Sequence, residues 1–137
     1  MVDKKTKDWS GCPVRFGMSQ FGDKWSFLII RDLMFKGRKY YHEFMEAGEG
    51  ISTNILAARL SDLEANDIIN KSKDPLKGSR FVYTLTQKGI ELMPMMLAMM
   101  DWAEKYDAET EVPPEFINGL RSDPAKLQQE ILDNLPK

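Results

Sequence analysis

The chain carries one cysteine and one histidine in 137 residues. A lone cysteine cannot close an intramolecular disulfide, and with a single histidine it cannot assemble a structural zinc site. Disulfide-stapled and zinc-stapled scaffolds are therefore not expected, and a reducing cytoplasm is the expected setting. No stretch approaches the roughly 20 apolar residues needed to cross a bilayer. The opening MVDKKTKDWSG has lysines with no apolar core after them, so neither a membrane span nor a signal peptide is expected. There is no Ser/His/Asp set, no metal constellation and no phosphate-binding glycine loop, and His42 is a solitary imidazole. These absences argue against an enzyme, and no cofactor is implied. Internal repeats and low-complexity runs are also missing.

What remains is a composition, 42% hydrophobic, able to fill one core in a chain of single-domain length. The net charge of -2 is unevenly placed. Residues 1–90 hold fifteen Lys/Arg against eleven Asp/Glu, whereas residues 91–137 hold four against ten. A basic excess over part of the chain is compatible with phosphate contact, because binding needs a basic face and not a basic whole.

Residues 1–10 read as a flexible, lysine-rich arm. Pro13 suits the first turn of a helix, and Val14, Met18 and Phe21 follow on one helical face. Gly22 ends that helix and Asp23 can cap the next. Lys24 to Lys36 is apolar on more than one side, with Trp25, Leu28, Ile29 and Leu33 in one stripe and Phe27, Ile30 and Met34 beside it. Such a helix is central, or sits at a subunit interface.

The stretch from Tyr40 to Asn66 gives a short helix, a break at Ala47-Gly48-Glu49-Gly50, and a second helix capped by Ser52. Two helices joined by a glycine turn make a helix-turn-helix, whose second helix enters the DNA major groove. Leu56, Leu60 and Leu63 form its narrow core stripe, with Arg59 at the edge. Asn54, Ala57, Ala58 and Ser61 fall on the outward face. Small side chains let a helix sink into a groove, and Asn can bond an adenine edge bidentately. Phe81 to Leu85 is rich in β-formers, and Asp74-Pro75 and Lys77-Gly78-Ser79 are turn chemistry, predicting a hairpin with a long connection. Its basic residues Lys71, Lys73, Lys77 and Arg80 would make it a wing beside the reading helix.

A long helix is expected from about Gln87 to Tyr106, kinked at Pro94. Its apolar surface is too wide for one small domain to cover, which predicts a helix from a second subunit. Its methionines read as adaptable packing. The acidic tail, 108–137, holds an extended Val112-Pro113-Pro114 spacer, then Phe116-Ile117, then a short helix begun by Asp123-Pro124. The predicted fold is mainly α with a small β-hairpin, a winged helix-turn-helix spanning residues 11–107.

CPV at 12–14, GDKW at 22–25 with the following LIIRDL, GISTNILAARLSDLEAND at 50–67 and YTLTQKGIEL at 83–92 resemble the HxlR-type winged helix-turn-helix regulators of the MarR-like superfamily. The likeness runs over roughly residues 11–106. It implies a bacterial-type transcription regulator, and a homodimer joined through its first and last helices, with Val14, Phe21, Leu97, Met100 and Trp102 at the interface. It also implies that Cys12 matches the cysteine some members use to sense quinones, aldehydes or oxidants. A thiol at a helix N-terminus, with Arg15 nearby, is chemically suited to that; the alternative is a small hydrophobe packed under the central helix. Where family reading helices often carry Lys, Gln or Arg, this one has Asn54, Ala57 and Ala58, so its operator should differ. The tail beyond Asp107 has no counterpart in the resemblance.

The expected function is a homodimeric repressor on a pseudo-palindromic operator in double-stranded DNA. Ser52, Thr53, Asn54 and Ala57 would face base edges, and Arg59, Lys71, Lys73, Lys77 and Arg80 would meet phosphates. Two alternatives stay open. One is a winged-helix protein-interaction module. The other is a regulator responsive to a small-molecule effector, with Trp25, Met99 and Trp102 lining a pocket at the dimer interface.

Overall fold

A computed structural model of the chain describes residues 11–136; the expected arm at 1–10 lies outside the described residues. The elements run α1 (Pro13–Phe21), α2 (Lys24–Phe35), α3 (Tyr41–Met45), α4 (Thr53–Ala65), β1 (Ile69–Lys73), β2 (Phe81–Leu85), α5 (Gln87–Ile90), α6 (Met93–Tyr106), α7 (Pro114–Ser122) and α8 (Pro124–Asp133). This is the mainly helical winged helix-turn-helix expected, with a single antiparallel hairpin among the described residues.

Helix α2 is the centre. Asp23 caps it, with Oδ1 accepting from the Ser26 N–H at 3.0 Å and Oδ2 from the Ser26 hydroxyl at 2.7 Å. Ile29, Ile30, Leu33 and Met34 are all buried on it. Helix α4 lies across α2 through Leu56, Leu60 and Leu63, all buried. Each such side chain contributes about 1.5–3 kcal/mol by leaving water. The helix stops in a Schellman turn: the Ile68 N–H reaches back to the Leu63 carbonyl and the Asp67 N–H to that of Glu64. Asp67 takes the left-handed conformation this requires, at φ 61°.

The hairpin pairs Ile69 with Leu85 and Lys73 with Phe81, so residues 74–80 form the long connection predicted. The Tyr83 N–H donates to the Lys39 carbonyl at 2.8 Å, fastening the hairpin to the segment between α2 and α3. Gly89 is required beneath it, since a Cβ there would stand 2.3 Å from the Ile68 carbonyl oxygen.

Two expectations, one continuous helix from Gln87 and Leu97 at an interface, are corrected. The long kinked helix is two helices: the chain turns at Glu91-Leu92, and Pro94 sits in the first turn of α6. A proline there loses no hydrogen bond, whereas in the interior it costs about 3 kcal/mol. On α1, Val14 and Met18 point to solvent and the buried residue is Gln20. Gln20 is held by polar partners: its carbonyl accepts from Asn66 Nδ2 at 3.3 Å and its Oε1 from Lys88 Nζ at 2.9 Å. Leu97, expected at a dimer interface, is 1% exposed inside the protomer and has no surface to offer a second chain.

The tail is more structured than its proline spacer suggested. Residues 114–122 are helical, Ile117 is buried, and Phe116 stands edge-on to Phe35 with ring centroids 6.2 Å apart. Arg121 ties α7 to α6 through Asp101, at 2.7 Å, and Glu104. Asp123 caps α8 as predicted, accepting from the Lys126 N–H.

The hydrogen bond from Arg121, with Lys105 adding, holds the Asp101 carboxyl below its ordinary range. Its stabilising effect is therefore full above the unfolded carboxylate value, about 3.9, and is lost as pH falls through the lowered folded value. In urea titrations Asp101→Asn should be less stable than wild type at neutral pH. The two should converge as pH drops below about 4. A gap unchanged down to pH ~2 would assign the loss to something other than this ion pair.

Candidate nucleic-acid interface

The turn before α4 is built to present that helix. Gly50 has φ 77°, a backbone state that side chains rarely adopt, and Ile51 after it is buried. The Ser52 Oγ accepts from the Ile55 N–H at 3.2 Å, the predicted cap. From α3, the Tyr41 hydroxyl donates to the Thr53 carbonyl at 2.9 Å. Behind the turn, Asp32 is a buried carboxylate accepting from Arg31 Nε at 2.9 Å and Arg38 Nη1 at 2.7 Å. Arg31 continues to Glu49, in the turn itself, at 2.7 Å. Burial opposes the Arg31 charge, but its bonds to Glu49 and Asp32 outweigh that and raise its pKa above the ordinary range. The sequence reading missed this clamp; its signal was the Arg-Asp pair in an otherwise apolar helix.

Held this way, α4 exposes Thr53, Asn54, Ala57, Ala58 and Ser61 on the side away from its leucines. Nothing longer than an amide stands on that face beyond its edges, so the helix backbone can come close to a flat or grooved partner.

The wing supplies charge. Lys71, Lys73 and Lys77 are exposed, with Lys71 Nζ lying over the Phe81 ring at 4.4 Å. Two other expected phosphate cations are engaged within the protomer. Arg80 Nε donates to buried Asp74 at 2.7 Å, and its guanidinium covers the Tyr40 ring at 3.9 Å. Arg59 folds onto Asp62 at 2.8 Å, with its Nε 3.6 Å from Asp23. Both are better described as braces than as free cations.

Asp74, expected as turn chemistry, also organises the wing through an ion pair with Arg80 that was not expected. Its Oδ1 accepts from the Leu76 N–H at 3.0 Å, an Asx turn that sets the direction of the tip. That bond first, then Arg80, holds its carboxyl below the usual range. Leu76 is consequently displayed at 89% exposure.

Helices α1 and α6 carry exposed apolar residues, Val14 at 71% and Trp102 at 65% among them. Phe21 and Met100 are half-buried next to them. Cys12 is the N-cap of α1 and half-buried, its carbonyl accepting from the Phe16 N–H at 3.1 Å. Trp25 lines a narrow recess with Leu28, Phe44 and Leu56, and neither Met99 nor Trp102 joins that wall.

Replacing Asp74 with Ala should free the wing and leave the core intact. Amide exchange should speed up over residues 74–80 with little change in α2 or α4. Unchanged exchange at the tip would mean that the strands alone hold it.

A profile of the HxlR-like helix-turn-helix family matches residues 20–111. YodB of Bacillus subtilis, an HTH-type transcriptional regulator, is 36% identical over 96 residues, covering 69% of this chain and 85% of YodB. The HTH-type regulator sll1512 of Synechocystis sp. is 36% identical over 102 residues, covering 72% and 75%. Among solved structures, reduced YodB is similar with a TM-score of 0.59 at 34% identity, over 73% of this chain and 98% of that one. The redox regulator HypR in its oxidised form gives a TM-score of 0.62 at 29% identity, over 74% and 100%.

Proposed function

The chain belongs to the HxlR-like helix-turn-helix family, transcriptional regulators and not enzymes, and on that premise we propose a cytoplasmic homodimeric repressor that reads a pseudo-palindromic operator. The observation that carries the reading is the juxtaposition of an outward α4 face of small and amide side chains with a braced wing of exposed lysines. Ser52, Thr53, Asn54 and Ala57 meet base edges or the backbone beside them. Lys71, Lys73 and Lys77 meet phosphates, while Arg59 and Arg80 serve mainly to aim the elements they brace. A second copy covers the exposed apolar residues of α1 and α6, Val14 and Trp102 foremost. The pair then sets two α4 helices about 34 Å, one DNA turn, or a multiple of it apart. Bound over a promoter, such a dimer excludes polymerase.

Binding assays on operator and scrambled duplexes test this. Lys77→Ala should weaken both alike and lower the slope of log affinity against log salt by about one. Asn54→Ala should cost about 1–3 kcal/mol on the operator and little on scrambled DNA. Equal losses on the two for Asn54→Ala would move the reading face elsewhere. An absence of duplex affinity at low salt would favour a protein-interaction module.

We further propose that Cys12 senses electrophiles or oxidants. Cys12 stands at the N-cap position of a helix of the proposed dimer interface, and the residue is half-buried. HypR is a redox regulator, and YodB has been crystallised reduced and diamide-treated. With one cysteine per chain, a disulfide here joins two copies or a small thiol. Diamide or a quinone should release wild-type protein from its operator and leave Cys12→Ser bound. Intact operator affinity with Cys12 shown by mass spectrometry to be modified would end the sensing reading.

A further inference from the structure

Alternation along β2 puts Phe81 and Tyr83 on one face of the hairpin. Tyr83 is buried there, edge-on to Phe44 of α3 with ring centroids 6.1 Å apart, while Phe81, nearer the wing tip, stays 41% exposed. Between that face and the start of α3 opens a cleft of about 350 Å³, lined by Tyr40, Tyr41, His42, Arg80, Phe81 and Tyr83. Of these six only Tyr83 is buried, so the rings form a wall that a partner can touch.

Two features say what the cleft receives. The first is charge. No acidic side chain stands among the described residues that line it, and cations lie over its rings. Lys71 Nζ is 4.4 Å from the Phe81 centroid, Lys39 Nζ 5.4 Å from that of Tyr40, and the Arg80 guanidinium 3.9 Å from Tyr40. Glu43, within α3, turns its carboxylate to the backbone N–H groups of Lys39 and Tyr40, at 2.9 Å each. Arg80 is bonded to Asp74, which leaves Lys39 and Lys71 to meet an anion. The second feature is position. Tyr41 donates to the Thr53 carbonyl at the start of α4, whereas Arg80 and Phe81 belong to the wing. The cleft therefore lies between the leading end of the reading helix and the wing. A helix in a major groove and a wing at the neighbouring minor groove are separated by one sugar–phosphate strand, because such a strand bounds each groove.

We propose that this cleft is the seat of that strand. Phosphates along it are anionic and the C–H edges of its deoxyriboses are apolar; the cleft offers cations beside rings. Phe81, and the His42 ring stacked on Tyr40 at 5.7 Å, pack against sugars, and Lys39 and Lys71 meet the flanking phosphates. None of these contacts reads a base, so the cleft adds affinity and orientation without sequence preference. The proposal rests on the DNA-binding reading above and adds to it an apolar share of binding that salt does not screen.

Anisotropy titrations of the full chain on a mixed-sequence duplex, repeated over a range of salt, test this. Phe81→Ala should weaken binding about five- to tenfold, part of the burial of one Phe ring. It should leave the slope of log affinity against log salt unchanged. Lys39→Ala should instead lower that slope by about one. Amide exchange over residues 74–80 should be the same in Phe81→Ala as in wild type, showing the wing still in place. His42 is the single histidine of the chain and is exposed. Its carbethoxylation, mapped by mass spectrometry, should slow several-fold once duplex is bound. Wild-type affinity in Phe81→Ala, or a His42 reactivity that bound duplex leaves unchanged, would overturn the proposal while the DNA reading stands. A lower salt slope or faster exchange at the tip in Phe81→Ala would make the ring a brace for Lys71, and would overturn it too. A wild-type chain that binds no duplex at low salt would sink the DNA reading and this strand contact with it.

Discussion

A helix that must enter a groove can be held along one stripe only, and Leu56, Leu60 and Leu63 are that stripe. They dock α4 on α2 and leave the rest of α4 largely uncovered. Because three leucines fix where the helix lies but not how it is aimed, orientation has to come from its ends. The leading end is fixed by Ser52, by Tyr41 on the Thr53 carbonyl, and by Arg31 on Glu49. The trailing end is fixed by the Schellman turn and by Asn66 on Gln20.

Two buried carboxylates extend the same logic. Asp32 gathers Arg31 and Arg38 behind the turn, and Asp74 gathers Arg80 at the wing. Burying one partner of an ion pair is costly unless every lone pair is used, and here each carboxylate has at least two donors. The arrangement contributes direction more than stability. Arg80 illustrates it: a guanidinium over Tyr40 and against Asp74 cannot also reach far to a phosphate, but it stops the wing from swinging. The lysines beyond it then stand at a defined place beside α4.

The fold was legible wherever a hydrophobic period coincided with a cap. Asp23 before α2, Ser52 before α4 and Asp123 before α8 were all readable, and all accept the expected backbone N–H. The outward face of α4 was readable for the same reason, since a three-leucine stripe leaves little doubt about its opposite side. What escaped was the pairing of side chains. Arg59 bonds Asp62 three residues on and Arg80 bonds Asp74 six residues back, but spacing alone does not tell a cation held by a neighbouring carboxylate from one left free for phosphate. Pro94 was misplaced because the same residue kinks a helix interior or begins a helix, and the apolar run on both sides fitted either. The helix at 114–122 was hidden by its prolines; their place in its first turn is where proline is tolerated best.

Helix α1 joins these themes. Cys12 caps one end and Gln20 lies at the other, a rise of about 12 Å at 1.5 Å per residue. Gln20 meets Asn66 at the close of α4 and Lys88 before α6, and Lys88 itself donates to the Asn66 carbonyl at 2.7 Å. The exposed apolar residues of α1 are those a second copy would cover in the proposed dimer. Under the proposed sensing, a modification at Cys12 would act on one end of α1, whose other end is bonded to the close of α4. A bulky adduct need not unfold anything to matter. Tilting α1 would move Gln20, and with it the Asn66 hydrogen bond that ties the end of α4 to α1. The sensing reading thus depends on one mechanical element, and it predicts that stiffening the α1–α4 junction blunts the response without abolishing DNA binding.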